Sequence, residues 1–107
     1  MIYEIRIYEA AEGKAEAMRR RFKDEVVPRL PGHGIELLGV FVAPEEDGRL
    51  TYLTRFESEQ ARTAGWASFG ADAGWKAVKA ASEAGGPLLK AQTVSVLSPA
   101  VAGLLLG

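Results

Sequence analysis

Few residues of this 107-residue chain can move a proton near neutral pH, and His33 heads them. It is the single histidine, and imidazole is the one side chain that ordinarily titrates close to neutrality. There is no cysteine, which excludes thiolate catalysis, disulfides and thiolate zinc sites. Tyr3, Tyr8 and Tyr52 supply phenols that can protonate or orient an oxyanion, and Tyr3 and Tyr52 join His33 as the candidate catalytic set. Phe22, Trp66 and Trp75 offer flat walls for an aromatic substrate. Each candidate has a plainer reading. His33 can be a solvated loop residue, the tyrosines can fill a sheet face, and the tryptophans can be the apolar stripe of a helix on its sheet.

A second set is charged. Glu4, Arg6 and Arg55, with Tyr8, are read as a structural polar row that faces something other than bulk water. Glu4 or Arg6 is therefore expected to bond Arg55 or Gln92. Metal binding has little footing, since no Asp/Glu cluster has ligand spacing and only one histidine is present. Haem on His33 is conceivable through a lone axial imidazole, but no second feature supports it, so no cofactor is expected.

These side chains need a frame, and Met1–Tyr8 starts it. Strict alternation sends Tyr3, Ile5 and Ile7 to one face and Glu4, Arg6 and Tyr8 to the other, the period of a strand. Gly13 marks a turn, and Ala15, Met18, Phe22 and Val26 recur at helical spacing from Lys14 to Val26. Pro28 is expected to end that helix. Pro28–Gly34 is then a rigid, punctuated loop that fixes His33 beside the next strand.

Ile35–Ala43 reads as a second strand, nearly continuous in apolar residues, with both faces covered. An acidic turn, Pro44–Gly48, leads to a third strand at Leu50–Phe56. Ser58 caps a helix to Phe69, and Asp72 caps another to Ser82. The fourth strand is Ala91–Leu97, followed by an apolar tail from Ser98 to Gly107.

This βαββαβ order is α+β and ferredoxin-like, an antiparallel sheet with helices on one face. With Tyr3, Ile5 and Ile7 beneath the helices, the charged row looks out from the sheet's other side. Leu38, Val40, Val42, Val94 and Val96 would be partly wet in a monomer, so two sheets are expected to pack face to face as a homodimer. The composition agrees with one soluble domain over residues 1–107, 48% hydrophobic and 25% charged. A net charge of -1 without charged blocks gives nucleic-acid binding no footing. No apolar stretch is long enough to span a bilayer, and a cytoplasmic protein is expected.

Tyr3-Glu4-Ile5-Arg6-Ile7-Tyr8 followed by Gly13-Lys14 resembles the opening of the NIPSNAP family. Arg55-Phe56 and the start Asp72-Ala73-Gly74-Trp75 resemble its second half. The resemblance runs from residue 2 to residue 97 and implies a dimeric α+β barrel. Glu12 replaces the usual Pro, Ala73-Gly74 replaces Pro-Glu, and Thr54 stands where many members carry Trp. A pocket wall made by that ring is therefore not shared.

The superfamily implies a cleft between sheet and helices, used by some members for cofactor-independent oxygenation, isomerisation or cyclisation. The residues leave two classes open. One is an enzyme acting on a small apolar or aromatic metabolite; the other is a non-catalytic small-ligand, haem-binding or interaction protein on the same scaffold.

Overall fold

Strand β1 spans Ile2–Ala10 and lies inside the sheet, as its alternation and paired charges require. The computed structural model describes residues 1–45 and 47–104. Glu46 of the acidic turn and Leu105, Leu106 and Gly107 of the tail therefore lie outside the described residues. The other strands are β2 (Glu36–Phe41), β3 (Arg49–Phe56) and β4 (Leu89–Leu97). The sheet order is β2-β3-β1-β4 with every neighbour antiparallel, the ferredoxin-like arrangement expected.

The first helical stretch is built in three pieces. Helix α1 covers Ala15–Arg21, a π turn follows over Phe22–Val26, and a 3-10 segment runs over Val27–His33. The expected stop at Pro28 is thus a change of helix type. Pro28 sits in the first turn of the 3-10 segment, where a missing N–H leaves nothing unpaired. The expected loop around His33 is helical to its end, and Gly34 closes it in the left-handed conformation at φ 72°. The wider π turn keeps Phe22 and Val26 buried together on the sheet.

Helices α2 (Glu59–Gly70) and α3 (Ala73–Ser82) complete the layer. Both expected caps form: Ser58 Oγ accepts from the Ala61 N–H at 3.1 Å, and Asp72 Oδ1 from the Trp75 N–H at 2.9 Å. Gly65 lets α2 approach closely, since a Cβ there would stand 3.1 Å from the His33 carbonyl oxygen and from Ile35 Cγ1.

The orientation of β1 is the main correction to the expectation. Cross-strand partners share a face, and Glu4, Arg6 and Tyr8 pair with Thr54, Tyr52 and Leu50. Those three β3 residues, with Phe56, are buried beneath the helices among Met18, Phe22, Val26 and Leu30. The polar row of β1 therefore faces the helices, and Tyr3, Ile5 and Ile7 face the open side of the sheet. Helix α2 makes this tolerable by lowering Arg62 onto Glu4.

Arg55 does not belong to the polar row. It pairs in register with Tyr3, on the open face, and its Nε donates to Glu36 Oε1 at 2.9 Å. The expected bond from Glu4 or Arg6 to Arg55 or Gln92 is replaced by bonds among Glu4, Arg6 and Arg62.

Strand β2 is an edge strand, so its apolar run is not covered on both faces in the single chain. Val40, Val94 and Val96, at 40%, 41% and 46% exposed, pair with Tyr52, Arg6 and Glu4, and so lie on the helix side of the two edge strands. The open face is instead built by Ile5, Ile7 and Leu53, with Leu38 and Phe41 toward the β2 edge.

Candidate functional site

The cleft between sheet and helices is a cavity of about 390 Å³. Its walls come from three places because the sheet row, the π turn and α2/α3 converge there. Phe22 and Val26 descend from the π turn, Trp66 and Phe69 from α2, and Trp75 from α3. The aromatic rings touch in sequence, with Trp66 and Phe69 centroids 5.9 Å apart and Phe69 and Trp75 centroids 5.1 Å apart. All three expected substrate-binding residues, Phe22, Trp66 and Trp75, thus border one cavity.

Its floor is the polar row of β1. Glu4 is fully buried and bonds the Arg6 guanidinium with one oxygen and Arg62 Nη1, at 2.7 Å, with the other. This pair of bonds satisfies a carboxylate that could not otherwise stay charged out of water. Arg6 lies over Trp66, its guanidinium carbon 4.0 Å from the ring centroid. Held from below by Glu4 and from above by Trp66, Arg6 presents a positioned cation to the cleft.

Tyr8 is the other floor residue. Its phenol oxygen lies 2.7 Å from that of Tyr52. Tyr52 is completely buried and has no other side-chain hydrogen-bond partner among the described residues, so its proton must go to Tyr8. The Tyr8 proton is then left to point elsewhere, and Tyr8 borders the cavity. Burial pushes both phenols above the usual range, the Tyr52 bond pulling Tyr8 partly back and the Tyr8 charge pushing Tyr52 further. Tyr8 is therefore a protonated donor at any physiological pH. Sequence reasoning placed it in a structural row. The signal that could have found it is its parity, shared with Arg6 and directed to the same face as Tyr52.

Tyr52 itself stands behind Tyr8 and Phe22 and does not border the cleft. Tyr3 is on the opposite face of the sheet, in a second groove with Leu38, Leu53 and Leu97. The structure does not bring Tyr3, Tyr52 and His33 together.

His33 is held at the α2–α3 corner, outside the cleft lining. A carboxylate only accepts, so His33 Nε2–H donates to Asp72 Oδ2 at 2.8 Å, and His33 Nδ1 shares a hydrogen bond with Ser68 Oγ at 2.6 Å. The set has the residue types of a hydrolytic triad, but neither Ser68 nor Asp72 borders the cleft either. Both ring nitrogens are engaged, which leaves no nitrogen for a haem iron. What His33 does visibly is tie the 3-10 segment to the cap of α3. The Trp75 N–H, and next His33, hold the Asp72 carboxyl below its usual range.

Arg21 closes the rim at the α3 end. Its Nη1 donates to Glu83 Oε2 at 2.7 Å and to Ser82 Oγ at 3.1 Å, and its guanidinium lies 5.1 Å from the Trp75 centroid. Lys79 and Gln92 complete the polar lining. Among the described residues no group of His, Asp and Glu has metal-site geometry, and no helix is long and apolar enough to cross a membrane.

The fold recurs in solved structures. A NIPSNAP family protein of unknown function from Agrobacterium tumefaciens is 24% identical, with a TM-score of 0.81 over 99% of this chain and 94% of that one. A second NIPSNAP family protein from the same organism is 20% identical, with a TM-score of 0.82 over 97% of each chain. A putative antibiotic biosynthesis monooxygenase from Bacteroides thetaiotaomicron is 15% identical, with a TM-score of 0.70 over 99% of this chain and 95% of that one. At these identities the likeness is one of fold. No curated protein matches the chain. The model of the NIPSNAP family matches residues 3–102, nearly the whole sequence, and the chain belongs to that family.

Proposed function

We propose that this NIPSNAP protein binds a small aromatic or apolar metabolite in the cleft between sheet and helices. The observation that carries this reading is the wall of Phe22, Trp66, Phe69 and Trp75 around a floor of Arg6 and Tyr8. An apolar cavity with a few convergent polar groups is the usual form of a small-molecule site.

The chemistry such a cleft supports is stabilisation of negative charge on oxygen. Arg6 and Tyr8 both border the cleft and are held before a ligand arrives, Arg6 by Glu4 and Tyr8 by Tyr52, so a developing enolate or phenolate would be met with little reorganisation. Cofactor-independent oxygenation, isomerisation and cyclisation all pass through such an anion. The alternative, a non-catalytic binding protein, uses the same cleft and differs only in turnover.

A homodimer with the two open sheet faces together belongs to the same reading. Its support is the apolar face of Ile5, Ile7 and Leu53, with Phe41 60% exposed at its margin. A face of this kind is costly in water and is the ordinary mark of an interface.

Calorimetry of wild type and Gln92→Trp with a series of naphthalene and anthracene derivatives tests the cleft. Gln92 is exposed and borders the cavity, so the larger ring blocks it without disturbing the core. Binding to wild type that the variant loses is expected; equal binding to both would put the ligand elsewhere.

A further inference from the structure

We infer that the ligand of the cleft is an anion, an aromatic or apolar molecule carrying a carboxylate. The inference rests on the reading of the cleft as the binding site and adds the charge of what fills it. Its basis is a census of hydrogen-bonding groups at the cavity. Three cations, Arg6, Arg21 and Lys79, border it against one carboxylate, Glu83. Glu83 is already committed to Arg21.

The donors outrun the acceptors. Arg6 gives its Nε to Glu4, and neither of its Nη groups has a hydrogen-bond partner among the described residues. Arg21 spends one Nη on Glu83 and Ser82. Lys79 has no ion-pair partner among the described residues. The Tyr8 proton has no acceptor, because Tyr52 donates to Tyr8. A neutral hydrocarbon would leave every one of these donors unmet while driving water from them, which is unfavourable. A carboxylate brings acceptor sites on two oxygens and the opposite charge. Glu4 fixes where that charge goes, since it holds the Arg6 guanidinium by Nε over Trp66 and leaves the Nη groups to the ligand.

The test is a pair of probes alike in shape and different in charge, 2-naphthoate and 2-naphthamide, titrated by calorimetry into the full-length protein at low ionic strength. Naphthoate is expected to bind about tenfold more tightly, the margin of a charge-assisted over a neutral hydrogen bond. Added salt should shrink that margin. Lys79→Gln, at an exposed position, should reduce that margin, and Arg21→Gln should reduce it further. Naphthamide binding as tightly as naphthoate to wild type, with both lost in Gln92→Trp, overturns the anion inference and keeps the cleft. A naphthoate margin that survives both charge variants and also the double variant Glu4→Gln/Arg6→Gln, which removes the cation at the floor together with its buried partner, overturns it as well. Binding of neither probe, or binding that Gln92→Trp leaves intact, overturns the cleft reading and the inference with it.

Discussion

Arg62 reaches from α2 to the central strand, its Nη1 lying 2.7 Å from Oε2 of the fully buried Glu4. Its other donors hold Glu59 on its own helix, so the guanidinium bridges helix and sheet. Two cations thus depend on one buried carboxylate. Glu4→Gln keeps the shape and removes the charge, and should cost about 3 kcal/mol in urea unfolding, the order measured when one partner of a buried pair is lost. A cost below about 1 kcal/mol would mean that water replaces Glu4 and that Arg6 is not held by it.

That bridge also marks the limit of what the sequence could tell. The elements were legible because their signals are local: alternation in β1, the caps Ser58 and Asp72, the 18-22-26 spacing of apolar residues. Alternation separates a strand's two rows but does not say which row lies beneath the helices. The intuitive answer puts Tyr3, Ile5 and Ile7 there, and it fails because Arg62 and Trp66, far along the chain, supply partners for Glu4 and Arg6. The walls of the cleft were legible for a similar reason of type, since large aromatics on a helix face their sheet. His33 was chosen partly by elimination, which carries no information about position, and partly because the Pro28–Gly34 segment fixes it beside β2; that segment is a 3-10 helix that holds His33 at the α2–α3 corner, outside the cleft lining.

His33 gives the second prediction. Its imidazole links Ser68 and Asp72 from a half-buried corner, so His33→Ala should lower stability by about 1–2 kcal/mol, the worth of two hydrogen bonds. Naphthoate binding in the cleft should hardly change. A large loss of binding or of turnover with the fold intact would move His33 into the functional site.

Asp72 adds a pH dependence to the same corner. Its carboxyl titrates below the usual range, held there first by the Trp75 N–H and then by His33. For a depressed acid the stabilising contribution is complete above the unfolded value, about 4, and is lost as pH falls through the folded one. The Tm gap between wild type and Asp72→Asn should therefore narrow on acidification from pH 5 to pH 3. A gap constant over that range would show that the charge of Asp72 is not what the corner uses.

The open face gives a prediction on assembly. Leu53 lies at its centre, between Ile5 of β1 and Gly39 of β2 in register. Leu53→Lys should turn a dimer into a monomer in sedimentation velocity, because an unpaired charge in a closed apolar interface costs several kcal/mol. Val40→Lys should do less, since its register faces the helix side. A wild type that sediments as a monomer at micromolar concentration would remove the proposed dimer.

Tyr8 and Tyr52 offer a cycle that tests the direction of a single proton. If Tyr52 donates to Tyr8, then Tyr8→Phe strands a fully buried hydroxyl and should cost about 1–3 kcal/mol. Tyr52→Phe leaves Tyr8 with its proton still available to the cleft and should cost less. The double variant removes both polar atoms together and should be more stable than Tyr8→Phe alone, a coupling that a cycle of urea unfolding curves reads directly. The pH dependence follows from the same burial. Both phenols titrate above the usual range when folded, so the unfolded chain gives up protons first. Their contribution is complete below about pH 10 and is lost as pH rises beyond it, toward the folded values. Wild type should lose stability from pH 10 to pH 11 more steeply than the double variant does. Naphthoate binding should weaken in Tyr8→Phe and persist in Tyr52→Phe. If Tyr52→Phe weakens it equally, the Tyr8 proton is not aimed by Tyr52, and the donor at the floor of the cleft is Arg6 alone.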